Sequence, residues 1–175
     1  KERFEEQVKA LEAGDEEALY VDNWLIRYKE GFAETLYLKK GTVGVADMNS
    51  FHKRYLKGVA FPEGLRYIGS EAFERTDIKS VKLPETLELL KRSAFRGTKI
   101  NEITLPASVK RVDQWVFMDC EALDRITVEG EKTQIVWPAI TGHRNASPTI
   151  VEAPTGSTAQ AYCEKYGKKY NLIFE

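Results

Sequence analysis

From Phe61 to Val128 the chain returns to the same pattern every 22 residues. Leu-Pro stands at Leu83-Pro84 and again at Leu105-Pro106, with Phe61-Pro62 one interval earlier. Counted from the residue before each proline, Leu65, Leu87 and Val109 lie four positions on, and Ile68, Leu90 and Val112 seven. Ala72-Phe73, Ala94-Phe95 and Val116-Phe117 lie eleven and twelve on, and Thr76, Thr98 and Cys120 fifteen. Ile78, Ile100 and Leu123 follow, the last shifted by one residue, and Val81, Ile103 and Ile126 close each unit. A unit of this length cannot bury its own apolar face. Stacked copies can, because each covers its neighbour, and about three or more are needed.

Each unit has a local reading. Val81-Lys82-Leu83, Ile103-Thr104-Leu105 and Ile126-Thr127-Val128 alternate apolar and polar, which predicts a short strand with one buried face. The proline that follows has no N–H to give and fits where a strand leaves its ladder. The offsets of four, seven, eleven and twelve are helix-like and predict a turn or short helix carrying Leu87, Leu90, Ala94 and Phe95 on one side. Alanine beside phenylalanine is small enough for a neighbouring coil to approach. The Thr76, Thr98 and Cys120 slot suits a tight return to the next strand.

Three units are clear. A degenerate one precedes them through Leu38, Val43, Val45, Phe51, Leu56 and Val59, with Leu38-Lys39 in place of Leu-Pro. Another follows from Val128 to about Ile150 without Ala-Phe or Leu-Pro, and Gly130 to Pro148 reads as a long loop or distorted repeat. The ends should differ, because terminal units need caps. Phe4, Val8 and Leu11 predict an amphipathic helix from Arg3 to Ala13, stopped at Gly14. Leu19 to Ile26 reads as a hairpin around Asp22-Asn23. Ser157 and Gly167 predict the N-cap and the C-terminal stop of a helix from Thr158 to Tyr166, and Tyr170 to Phe174 a last strand.

These residues resemble a known family. Leu83-Pro84, Leu87, Leu90, Ala94-Phe95, Thr98, Ile100, Ile103 and Leu105 match the BspA-like leucine-rich repeat of bacterial surface proteins. Gly156 to Ala159, Tyr162 and Gly167 look like the usual close of such arrays. Val21 to Ile26 with Gly41 to Asp47 looks like their usual opening. The likeness covers roughly residues 17 to 175. Trp115-Val116-Phe117 departs from Ala-Phe, and the Asn ladder of the L-x-x-L-x-L-x-x-N subclass is absent. The resemblance implies an α/β solenoid with short parallel strands on one curved face, a helix and hairpin cap at the N-terminus and a helix-strand cap at the C-terminus. It divides the chain into a helical segment or linker over 1–16 and a repeat domain over 17–175, with the hairpin cap at 17–34, repeats at 35–150 and the closing cap at 151–175. It also implies a cell-surface or secreted bacterial setting, adhesion to host or matrix molecules, and no catalytic residues.

Composition narrows the partners. Lys and Arg number 26 against 27 Asp and Glu in 175 residues, so no general field draws the chain to nucleic acid or anionic lipid. No apolar run of about 18 residues is present, so no membrane insertion is expected. The chain starts at Lys1 and is read as a processed product or excised fragment, with no secretory signal visible in it. Two cysteines make no disulfide framework. Cys120 sits in a core slot and reads as a small hydrophobe, not a nucleophile. A Cys120–Cys163 bridge is open but unsupported. His52 and His143 lie in no ligand spacing, so no metal is expected. No nucleophile elbow, dinucleotide loop or Walker loop occurs, and no cofactor is implied. Asn145-Ala146-Ser147 matches a glycosylation sequon that has no bearing in a bacterial source. Glu16-Glu17 and Glu129 with Glu131 lack the facing geometry that glycoside hydrolysis needs.

The polar side of the strands is the candidate surface. Alternation sends Ala60, Lys82, Thr104 and Thr127 outward, with Ser80, Glu102 and Arg125 beside them. Solenoids bind through such faces. The stripe is mixed in charge and has no aromatic, which argues against sugar stacking there. A face that is merely solvated is the alternative. Trp115 is expected to pack against the segment around Trp137 as part of the closing cap, with an exposed ring that binds a ligand as the alternative. The function expected is a non-enzymatic, monomeric adhesion module for a host or matrix protein or glycan, or a spacer with no ligand of its own.

Overall fold

A computed structural model describes residues 18–28, 34–47, 55–141 and 148–175, together with Lys9. The helix expected from Arg3 to Ala13 lies outside them, apart from Lys9. In chain order the strands are β1 (Ala18–Val21), β2 (Trp24–Tyr28), β3 (Thr35–Tyr37), β4 (Gly44–Val45), β5 (Gly58–Ala60), β6 (Tyr67–Ile68), β7 (Leu89–Leu90), β8 (Glu102–Leu105), β9 (Arg111–Val112), β10 (Arg125–Val128), β11 (Gln134–Ile135), β12 (Thr149–Glu152) and β13 (Leu172–Phe174). One helix, α1 (Thr158–Tyr170), lies between β12 and β13. They wind into a β-solenoid of about six turns.

Every coil has three sides. On the first, β1 and β2 form the antiparallel hairpin, and β4, β6, β7, β9 and β11 stack in parallel beyond it. Val45, Ile68, Leu90 and Val112 are in register here and fully buried. The sequence places these residues in a helix-like spacing, and the structure corrects this to strands. The reason lies in the corner that follows. Glu71, Ser93 and Trp115 occupy one repeat position, and all three are left-handed, with φ of 58°, 57° and 63°. A non-glycine residue there costs about 1–2 kcal/mol and ends any right-handed helix. The chain is turned at each coil instead.

Beyond that corner runs the second side, which carries alanine and phenylalanine. Its amides look sideways rather than four residues back. Glu71 N–H donates to the Arg92 carbonyl, Phe73 to Ala94 and Phe95 to Val116. The phenylalanines stack through the core: Phe73 on Phe95 at 5.4 Å and Phe95 on Phe117 at 6.1 Å, both nearly parallel. Ala139-Ile140 continue this side, since Phe117 donates to the Ala139 carbonyl and bridges Ile140. Residues 130–141 are therefore a further coil, the distorted repeat rather than the long loop of the two readings. Ile140 does the work of phenylalanine.

The third side carries the L-x-L strands. β3 pairs with β5, and β8, β10, β12 and β13 form one parallel sheet. Val81-Lys82-Leu83, expected as a strand, stands between β5 and β8 unpaired. Leu83 is buried and Lys82 exposed, as alternation requires. Yet among the described residues none of the three makes a backbone hydrogen bond to a neighbouring coil. Spacing accounts for this. Residues that pair on this side are 23 or 25 positions apart, as with Leu36 and Val59, Ile103 and Ile126, and Ile126 and Val151. Val59, Val81 and Ile103 follow at 22. The link from Thr76 to Val81 is one residue shorter than that from Cys120 to Ile126.

The closing cap follows the physics of helix ends. The Ser157 side chain accepts from Gln160 N–H at 3.2 Å. The helix runs past Gly167, the expected stop, to a left-handed Asn171 at φ 55°. Gly167 is needed for closeness instead, because a Cβ there would meet the Leu172 carbonyl oxygen at 2.9 Å. Trp137 lies against Tyr166 and Tyr170 of this cap, at 5.9 and 6.4 Å. The Trp115 ring lies under the Arg92 guanidinium, and its coil meets the Trp137 segment through the backbone, Trp115 N–H donating to the Pro138 carbonyl.

Both cysteines are free and buried. Cys120 thiol contacts Thr98 Oγ1 at 3.4 Å and donates to the Phe95 carbonyl. Burial pushes its pKa up, and pushes that of Cys163 to about 11.

Two expectations follow. Phe95→Ala removes the middle ring of the column and should cost about 3–5 kcal/mol, against a change within about 0.5 kcal/mol for Lys82→Glu; paired denaturant melts measure both. Neither thiol should react with an aromatic disulfide reagent at pH 8 in the native protein, and both should titrate in denaturant, because the thiolate is the reacting form. Rapid labelling of either in the native state contradicts the assigned burial.

Candidate functional site

The interruption in the third side opens a groove of about 440 Å³. Its floor is Val81, Leu83 and Ile103, the apolar residues of the L-x-L alternation. Ser80, Lys82, Glu102, Thr104, Arg125 and Thr127, the six residues expected on the sheet face, all line it. Alternation within β8 and β10 holds Glu102 with Thr104, and Arg125 with Thr127, on the outer side. Asn101, Glu85 and Pro106 complete the rim.

The six divide in two. Arg125 pairs with Glu152, whose other oxygen accepts from Thr127 Oγ1 at 3.0 Å, and Glu175 stands 3.7 Å from the same guanidinium. That end is spent on holding β10 to β12. At the other end Ser80, Lys82, Glu102 and Thr104 are exposed and have no side-chain partner among the described residues. The unpaired main chain of Val81 to Leu83 runs among them. Backbone N–H and C=O groups out of a ladder must find water or another partner. The groove thus offers main-chain donors and acceptors, one cation, two carboxylates and hydroxyls over an apolar floor.

Elsewhere the coils meet through columns of polar side chains. Glu88 accepts from Lys110 Nζ at 2.6 Å and from Arg66 Nε at 2.7 Å, three residues from three successive coils. The hydrogen bonds from Lys110 and Arg66 hold the Glu88 carboxyl below its ordinary range. Thr86, Ser108 and Thr133 each donate a hydroxyl to a carbonyl of the preceding coil, at Leu65, Leu87 and Val109. These staples escaped the reading by apolar period, although Thr86 and Ser108 share one repeat position.

No cluster of three or more His, Cys, Asp or Glu suited to a metal occurs among the described residues. Glu129 and Glu131 are exposed and border a shallow hollow that Lys110 and Lys132 also line. His52, His143, Glu16, Glu17 and the Asn145 sequon fall outside the described residues. No helix among those residues is long and apolar enough to cross a membrane.

Comparison with known proteins agrees with this geometry. A crystal structure of a leucine rich cell surface protein from Faecalibacterium prausnitzii A2-165 superposes with a TM-score of 0.60 at 20% identity. The match covers 84% of this chain and 42% of that one, so this chain spans less than half of that protein's length, and the likeness is one of fold. A search of curated proteins found no match. The model of the BspA type leucine rich repeat region matches residues 46–153 in six copies, more than half of the sequence. The repeat, its coil geometry and that match agree, and the chain belongs to the BspA-type leucine-rich repeat family.

Proposed function

We propose that this chain is a non-enzymatic binding module of a bacterial cell-surface protein, acting as a monomer, and that its groove takes an extended segment of a host or matrix protein. One observation carries the reading: four unpartnered polar side chains surround the Val81 to Leu83 stretch, whose backbone groups are unspent. A peptide in extended form offers the matching main-chain donors and acceptors, as in strand-addition recognition. Lys82 beside Glu102 favours a ligand of mixed charge. The absence of any aromatic ring from the groove lining disfavours a sugar at this place. The bacterial surface setting rests on family membership and on the structural relative being a bacterial cell surface protein.

The spacer reading draws on a different observation. Backbone ladders run from coil to coil along the first and second sides, and ion-pair columns reinforce them. A stiff rod results, and stiffness serves distance as well as binding.

Binding of the purified domain to immobilised collagen, fibronectin and fibrinogen at physiological salt separates the two. Saturable binding is expected, weakened more than about tenfold by Lys82→Glu with Thr104→Arg, at an unchanged melting temperature. Binding to none of them favours the spacer. Binding indifferent to the double substitution moves the site away from the groove.

A further inference from the structure

A second hollow lies on the first side of the solenoid, away from the groove. Its volume is about 550 Å³, within the range of about 300–1,000 Å³ usual for small-ligand sites. Trp24 and Tyr67 wall it, Val45, Ala46 and Gly69 floor it, and Asp47 and Lys91 stand at its lip. Trp24 belongs to β2 and Tyr67 to β6, with β4 between them. The two rings are parallel to within 4°, at 5.8 Å between centroids. They meet because the strand between carries no side chain at that place. A Cβ on Gly44 would lie 2.3 Å from the indole, so the ring rests on bare backbone. Gly69 works likewise at the floor, where a Cβ would fall 2.4 Å from the Ala46 carbonyl carbon.

An indole that only covered a sheet end would be expected to hide its faces. Trp24 keeps 36% of its surface exposed. Among the described residues neither its N–H nor the Tyr67 hydroxyl has a hydrogen-bond partner. Asp47 Oδ1 accepts from Ser70 N–H at 2.8 Å and from Lys91 Nζ at 3.2 Å, while Oδ2 has only a 3.5 Å approach from Lys91. Burial alone would raise the Asp47 carboxyl, but Ser70 N–H and the Lys91 ammonium outweigh it and hold it low, so it is ionised at neutral pH. The hollow therefore combines electron-rich ring faces with a free indole N–H, a hydroxyl, an ammonium and a carboxylate oxygen around the edge. Aromatic faces attract the weakly positive C–H groups of a partner. The ligand that shows C–H groups on its flat faces and hydroxyls around its rim is a pyranose. Asp47 pairs with Lys91, and the Arg66 guanidinium, 5.3 Å from the Tyr67 ring centroid, pairs with Glu88, so the charge favoured is neutral.

We propose that Trp24, Tyr67, Asp47 and Lys91 form a carbohydrate subsite that takes one pyranose ring of a neutral oligosaccharide, with the ring stacked on the aromatic pair and its hydroxyls on Asp47 and Lys91. It stands apart from the groove and does not depend on a peptide binding there. The two sites would give one module two modes of attachment.

The test uses the whole chain, titrated calorimetrically and by saturation-transfer NMR with cellotetraose, chitotetraose and lactose. At least one should bind saturably, with transfer strongest at ring C–H protons. Trp24→Ala should weaken that binding more than about tenfold, and Gly44→Val, which pushes the indole off its seat, should do the same. Asp47→Asn, which leaves the rings alone, should weaken it several-fold. Lys82→Glu in the groove should leave it unchanged. Which sugar binds separates plant-type from amino-sugar and galactoside sources. Failure of all three to bind the unaltered chain at 10 mM ligand, a concentration of the order of the weakest useful affinities, overturns the proposal. So does binding that survives both Trp24→Ala and Asp47→Asn.

Discussion

The column of Phe73, Phe95 and Phe117 is the interaction on which the molecule rests. Each ring is buried only because the ring of the next coil lies upon it. A single coil has nothing to close its interior, so folding is a property of neighbours and not of units. This fixes the distance between coils, and the ladders on the first and second sides follow at the same pitch. The ends must then be sealed by something other than another coil. The hairpin of β1 and β2 does so at one end, and α1 with Trp137, Tyr166 and Tyr170 at the other.

Core positions were legible because they recur. Every apolar slot from Leu65 to Val128 that the period picks out is buried in the fold, except Val81, which is half-buried at the groove. The local conformation was less legible. Spacings of four, seven and eleven are shared by a helix and by a three-sided coil, and apolar residues do not distinguish them. The distinction lies in Glu71, Ser93 and Trp115, whose left-handed backbone has no common side chain to announce it. Ala139-Ile140 is illegible in the sequence for a similar reason. The slot needs volume and apolarity, and isoleucine supplies both without looking like phenylalanine.

The groove shows a different limit. All six of its expected residues could be placed by alternation, which needs only a period of two. That they surround a break in the ladder could not. The break depends on one residue more or less in a connection, and the shift at Leu123 was its visible trace. The Trp24 and Tyr67 pair was hidden further still. Its rings are 43 positions apart and belong to the cap and the first clear repeat. The signal was a glycine, Gly44, in a strand that had no local need of one.

The column Arg66, Glu88 and Lys110 carries a consequence for how such a chain can grow. Equivalent residues of successive coils touch, so their charges alternate. Copying one coil beside itself would set arginine on arginine or glutamate on glutamate, while its leucines and phenylalanines would stack without complaint. Duplication is therefore easy for the interior and awkward for the outside. The variety seen on the surface of these repeats is then not mere drift from a common unit. It is what lets a unit tolerate its own twin.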